Sequence, residues 1–355
     1  MKIKHRPKGL YIIDAGHLES VYGPAERAAI AGLVTILGPA QTAESIRQRP
    51  DLLAQCEVIF TGWGAPKLDR DFLAAAPQLK LVLYAAGSTR WIISEEMWNR
   101  EVQLSSSYVA NALPVVEYTL ATLFFSLKHG WRYALKYKQD RGFPKKWPVP
   151  GAYGTTVGLV SMGIVARMLC EKLRSFDLHV AVFDPFLSAE EAGELNVRRV
   201  GLEELFEISD VVSIHAPELP ETQGLVTGEL IASMKQGATL INTARGSVIR
   251  EDELIEVVSV RPDLQIVLDV TDPEPPVENS PLYHLPNVIL TPHIAGSMDL
   301  ECRRMGQAMI EELRRYLKGE PLQWAITPEL ARISSHRPAF MNGDPAAQKK
   351  EEVFT

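Results

Sequence analysis

The chain has 355 residues, 46% apolar and 23% charged, with a net charge of -7, which is too long for one ordinary domain and suits two globular ones. The acidic balance gives no basis for nucleic-acid or anionic-membrane partners. Cys56, Cys170 and Cys302 lie far apart without a C-x-x-C pair, which suggests neither a disulfide framework nor a zinc site and suits a reducing cytoplasm.

Lys2, Lys4, Arg6 and Lys8 make the start basic, but no signal-peptide core follows, and no apolar run approaches the ~18 residues of a membrane helix. Leu10 to Asp14, Leu33 to Leu37, Val58 to Thr61 and Leu79 to Tyr84 are apolar runs of strand length with helix-like segments between several of them, which predicts an open parallel sheet. Two strand ends carry glycine-bearing loops, Thr61-Gly62-Trp63-Gly64 and Ala85-Ala86-Gly87-Ser88-Thr89. Ligands bind past the carboxyl ends of such strands, and turns of this kind expose N–H donors suited to an anion. Trp63, Tyr84 and Trp91 fit a bulky substrate side chain and ordinary core packing equally well.

Asn111-Ala112-Leu113-Pro114 opens a helix, with Pro114 placed in its first turn. Val115 to Lys128 is apolar nearly all round, as expected of a buried helix. After a break of Gly, Pro and Trp from Gly142 to Gly154, the stretch Thr155 to Pro185 reads as strand, tight turn, helix and strand, ending in Asp184. Ile164, Val165, Met168, Leu169, Leu173 and Phe176 recur at the spacing of one buried helical face. Such a βαβ unit binds a dinucleotide: N–H groups of Ser161, Met162, Gly163 and Ile164 hold the pyrophosphate, and Asp184 accepts from the adenosine ribose. The G-x-G-x-x-G positions hold Ser161, Gly163 and Ala166, so only the middle glycine is kept. Further strands are predicted at Val211 to Ile214, Thr239 to Asn242, Ile266 to Leu268 and Val288 to Leu290, then a helix from Met298 to Lys318 that returns the chain to the first domain. From Arg332 onward the sequence is polar and charged and is assigned no structure.

Three residues past strand ends form a chemical set. Arg245 lies in Asn242-Thr243-Ala244-Arg245-Gly246, Glu274 in Thr271-Asp272-Pro273-Glu274-Pro275, and His293 in Thr291-Pro292-His293-Ile294. Each alone is explained as a solvated charge or a structural histidine. Together with a dinucleotide they suit reduction of a 2-keto acid: a guanidinium pairs with the carboxylate and polarises the carbonyl, a histidine supplies the proton, and a carboxylate holds the histidine.

These motifs, NTARG, LDVTDPEP, SPLYHLPNVILTPHIAGS and NALPVVEYTLA, resemble the D-isomer-specific 2-hydroxyacid dehydrogenases over about Val58 to Thr327. The resemblance implies Arg245, Glu274 and His293 as the catalytic set, with Arg245 and His293 also touching substrate and cofactor. It implies that the backbone of Ala86, Gly87 and Ser88 binds the substrate carboxylate and that Asp269 contacts the nicotinamide carboxamide. His215, Ala216 and Pro217 look like the loop lining the cofactor, and Thr222, Thr243 and Ala244 are placed beside it. It also implies a homodimer built through the cofactor domain.

The expected architecture is α/β with two doubly wound parallel-sheet domains. A flavodoxin-like substrate domain spans 1–109 and 299–331, a Rossmann NAD-binding domain spans 110–298, and a polar tail spans 332–355. Asp184, with Pro185 and Phe186 after it, favours NAD over NADP. No metal is expected. An alternative reading is an NAD-sensing corepressor-like binding protein with little turnover; formate oxidation fits less well, because the resembling formate dehydrogenases carry Gln where Glu274 stands here.

Overall fold

In a computed structural model, residues 6–332 and Ser334 are described; the polar tail, apart from these last residues, lies outside them. The chain divides into two compact units, Met1–Ala112 with Ser297–Thr355, and Leu113–Gly296.

The first unit holds a five-stranded parallel sheet of β1 (Lys8–Ile12), β2 (Thr35–Ile36), β3 (Val58–Thr61), β4 (Leu81–Tyr84) and β5 (Gln103–Ser106), in the order β2-β1-β3-β4-β5. This is the flavodoxin-like order. All four residues of β3 and of β4 are buried, as expected where both sheet faces are covered. One face packs Leu10, Ile59, Val82 and Leu104 against Leu73 and Met97. The other packs Tyr11, Phe60 and Leu83 against Met305, Met309 and Leu313 of the returning helix Cys302–Lys318. Gly306 lets that helix close in, because a Cβ there would lie 2.2 Å from the Val21 carbonyl oxygen. Buried Glu312 accepts from Ser105 Oγ at 2.6 Å and from the Gln323 and Trp324 amides at 3.0 Å each, tying the helix and its exit to β5.

The second unit holds seven parallel strands: β6 (Thr156–Val160), β7 (His179–Phe183), β8 (Arg198–Arg199), β9 (Val211–Ile214), β10 (Thr239–Asn242), β11 (Gln265–Leu268) and β12 (Val288–Leu290). Their order, β12-β11-β10-β9-β6-β7-β8, is the Rossmann order extended by one strand. The direction of winding reverses between β6 and β9, and that is where a dinucleotide crevice forms.

Several expectations need correction. Strands β5 and β8 were not anticipated: one reads Gln-Leu-Ser-Ser and the other is an edge pair of arginines, so neither carries an apolar pattern. The helix around Pro114 starts at Tyr108, three residues before the expected Asn111, and runs to Leu127, so the proline sits inside it rather than in its first turn. At 20 residues this helix is long and apolar enough by composition to cross a membrane, contrary to the expectation that no run approached that length. Val116, Leu123 and Leu127 instead pack into the second unit's core, while Glu117, Ala121, Phe125 and Lys128 form an exposed stripe where all-round burial was expected. The returning helix begins at Cys302 after a 3-10 turn at Asp299–Glu301.

Candidate active site

Because all seven strands of the second unit are parallel, the segments leaving their carboxyl ends share one sheet edge. Along that edge stand Asp184 after β7, the Ser161 turn after β6, the His215–Thr222 loop after β9, Arg245 after β10, Glu274 after β11 and His293 after β12.

The turn after β6 is open. A Cβ added at Gly163 would meet nothing within 4 Å, and the ten-residue helix Ile164–Leu173 starts there without a side-chain cap. Space and uncapped N–H groups fit a pyrophosphate. Ser161 takes the glycine's place with φ of 78°, the left-handed region. Its hydroxyl lies 3.3 Å from Asp184 Oδ2, which also accepts from the Met162 amide at 2.7 Å. Asp184 Oδ1 accepts from Phe186 and Leu187 amides at 2.7 and 3.2 Å. Both oxygens are therefore already engaged within the chain.

After β9, His215 Nε2 lies 3.0 Å from Ser213 Oγ, and burial pushes its pKa down to about 4. A neutral imidazole results at ordinary pH, consistent with a lining role for His215 rather than a proton donor's. Ala216 is buried and Pro217 half-buried. Thr222 Oγ1 donates to the Pro217 carbonyl at 2.5 Å and accepts from the Leu219 amide at 3.0 Å, closing the loop.

Past β10, fully buried Asn242 shapes the turn: its Nδ2 donates to the Arg245 carbonyl at 2.9 Å and its Oδ1 accepts from the Ala244 amide at 3.0 Å. Thr243 Oγ1 lies 3.2 Å from Thr119 Oγ1. The half-exposed Arg245 guanidinium donates from Nη1 to the Ala244 carbonyl at 2.6 Å, and its Nε stands 3.9 Å from Glu218 Oε2. Gly246 has to be glycine, since a Cβ would lie 2.0 Å from the Thr271 carbonyl carbon. That close approach sets the Arg245 turn against the segment leading to Glu274.

His293 Nδ1 and Glu274 Oε1 are 2.6 Å apart. Thr271 Oγ1 donates to the Pro273 carbonyl at 2.9 Å, and Glu251 accepts the Asp272 amide at 3.2 Å, fixing the strand exit before Glu274. His293 itself has φ of 52°. The turn is held by Asp269, whose Oδ1 accepts from Thr291 Oγ1 at 2.6 Å and from the Ile294 amide at 2.9 Å, and whose Oδ2 accepts from the Ala295 amide at 2.9 Å. Thr291 spends its one hydrogen on Asp269, so Tyr118 Oη, 2.9 Å away, must donate to Thr291. Sequence reasoning assigned no role to Asn242, Glu251, Thr291 and Tyr118; three of them stand inside the quoted motifs, but they touch the site only through partners, which motif spacing does not reveal.

The first unit carries the other predicted loop. Ser106 Oγ shares its hydrogen between the carbonyls of Ala86 and Gly87, at 2.9 and 2.6 Å, and Ser107 Oγ reaches the Ala86 carbonyl at 3.2 Å. In a planar trans peptide the N–H points opposite its C=O, so pinning these carbonyls turns the Gly87 and Ser88 N–H groups the other way. Trp63 is half-buried and meets His17 ring to ring at a tilt of 52°, with centroids 4.8 Å apart. Among the described residues no cluster of three or more His, Cys, Asp or Glu could hold a metal ion.

Residues 120–295 match the family described as D-isomer specific 2-hydroxyacid dehydrogenase, NAD binding domain. The chain is 31% identical over 262 residues to a D-3-phosphoglycerate dehydrogenase of Bacillus subtilis, covering 74% of this chain and 50% of that protein. A hydroxypyruvate reductase of Thermotoga maritima is 29% identical over 71% of this chain and 82% of its own. A crystal structure of a phosphoglycerate oxidoreductase from Rhizobium etli superposes with a TM-score of 0.75 at 23% identity, over 90% of this chain and 98% of that one. The chain spans about half the length of the phosphoglycerate dehydrogenases it matches.

Proposed function

Since the chain belongs to the D-isomer-specific 2-hydroxyacid dehydrogenase family, we propose that it interconverts a small 2-keto acid and the corresponding D-2-hydroxy acid, with NAD as cofactor. The observation that carries this reading is the 2.6 Å pairing of His293 Nδ1 with Glu274 on the strand edge that also bears Arg245. When bound, the nicotinamide supplies hydride for reduction and takes it in oxidation.

The chain's residues do the rest. Glu274 occupies Nδ1 and leaves Nε2 of His293 to give its proton to the carbonyl oxygen, or to take it back from the hydroxyl. Arg245 keeps Nη2 for the substrate carboxylate and polarises the neighbouring carbonyl. The Gly87 and Ser88 N–H groups of the first unit are suited to a carboxylate. Ser161 to Ile164 receive the pyrophosphate, and Asp184 favours free ribose hydroxyls over a 2′-phosphate, which its charge repels.

The same reading makes the protein a homodimer through the cofactor unit, working in a reducing cytoplasm. Its three buried free cysteines suit that compartment. Support for the dimer comes from 125–153, where Phe125, Leu135, Tyr137, Phe143 and Tyr153 are all exposed, Phe143 at 96%.

The test is NADH and NADPH oxidation against a panel of 2-keto acids, with His293→Ala alongside. The expected result is turnover with at least one keto acid, a higher kcat/KM with NADH, and a kcat lower by about 10²–10⁴ in the variant. Tight NADH binding without turnover on any keto acid would instead favour a sensor, and unchanged turnover in His293→Ala would remove the histidine from its role.

A further inference from the structure

The loop after β9 brings Glu218 to 3.9 Å from the Arg245 guanidinium. This is not a chance meeting of two surface side chains, because both backbones are fixed. On either side of Glu218, Thr222 Oγ1 holds the Pro217 carbonyl at 2.5 Å and the Leu219 amide at 3.0 Å. Asn242 likewise holds Ala244 and Arg245 from within the sheet. The distance decides what the contact does. A clamp that orients a guanidinium needs hydrogen bonds of about 2.7–3.2 Å, and 3.9 Å is beyond that. With both side chains about 40% exposed, Glu218 acts through its charge.

We infer that Glu218 is the resting counterion of Arg245 and that its charge selects singly charged 2-keto acids over those carrying a second anionic group. The inference rests on the activity proposed above. An incoming carboxylate shares the guanidinium's charge with Glu218, which stays close by and repels each further negative charge the substrate carries. A phosphorylated keto acid would meet that repulsion in full.

Oxamate and oxalate are matched in shape and differ by one charge, so they read the effect directly. Each is titrated into NADH-saturated wild type, Glu218→Gln and Glu218→Asp. The expected result is a wild type that prefers oxamate, and a Glu218→Gln variant that gains about two- to fivefold in oxalate affinity with a smaller gain for oxamate. Glu218→Asp, which keeps the charge, stays near wild type, and about 1 M salt shrinks the difference. An unmoved oxalate-to-oxamate ratio in Glu218→Gln, or weaker binding of both anions, overturns this inference alone. Failure of wild type to bind either anion overturns the dehydrogenase reading together with it.

Discussion

Ser161 shows how one side chain can carry opposite effects. A left-handed φ costs a residue with a Cβ about 1–2 kcal/mol, yet the side chain whose Cβ creates the strain also carries a hydroxyl that reaches toward Asp184 at 3.3 Å. That contact is long, and under the proposed function it fills an acceptor site for the ribose, so relief of strain is expected to outweigh the lost bond. Ser161→Gly is expected to raise the melting temperature by a few degrees and to tighten NADH binding about two- to fivefold, measured by thermal melts and fluorescence titration. Weaker NADH binding in the variant would mean that the hydroxyl organises Asp184 for the cofactor. The sequence made Ser161 visible as a departure from the glycine pattern, but not the pairing with Asp184, 23 residues away. The same limit hid the role of Tyr118, which reaches Asp269 only through Thr291, 173 residues further along the chain.

At the level of elements, the site depends on how closely the turn after β10 approaches the one after β11. Gly246 rests against backbone, with the Thr271 carbonyl carbon 2.0 Å and the Asp272 nitrogen 2.5 Å from where a Cβ would go, so neither side can yield by rotating a side chain. Gly246→Ala should push Arg245 and Glu274 apart, lowering kcat at least about tenfold and costing about 1–3 kcal/mol of stability, read from kinetics and denaturant melts. Wild-type kcat in that variant would show that the turns move independently. The strands beside this site were legible because parallel strands covered on both faces read as nearly continuous apolar runs, as in Val211–Ile214 and the last three residues of Gln265–Leu268. Gln103–Ser106 gives no such run. It becomes a strand because its backbone completes the edge beside β4 and its serines are spent on Glu312, Ala86 and Gly87. Pro114 misled for a related reason: packing of the whole helix outweighs one lost N–H, so the proline marks no start.

For the whole molecule, the exposed apolar residues between 125 and 153 give the dimer proposal its test. Phe143→Ser with Tyr153→Ser alters two side chains that are 96% and 86% exposed, so the fold should survive while association weakens. Sedimentation of the pair is expected to show monomers where wild type shows dimers; a wild-type protein that sediments as a monomer would end that proposal. The two parallel sheets were legible in the alternation of apolar runs and helical segments, and so was the return of the 298–318 helix to the first domain; which of its side chains close that sheet was not, because the packing partners lie about 200–300 residues apart. Residues 113–296 form one uninterrupted unit, whereas the first unit lacks the Met305, Met309 and Leu313 side of its core, and the Glu312 tie to Ser105, until the far end of the chain is made. On the ribosome, therefore, the order of completion reverses the order of synthesis: the second unit is finished first, and the nascent first unit waits with one face of its sheet uncovered.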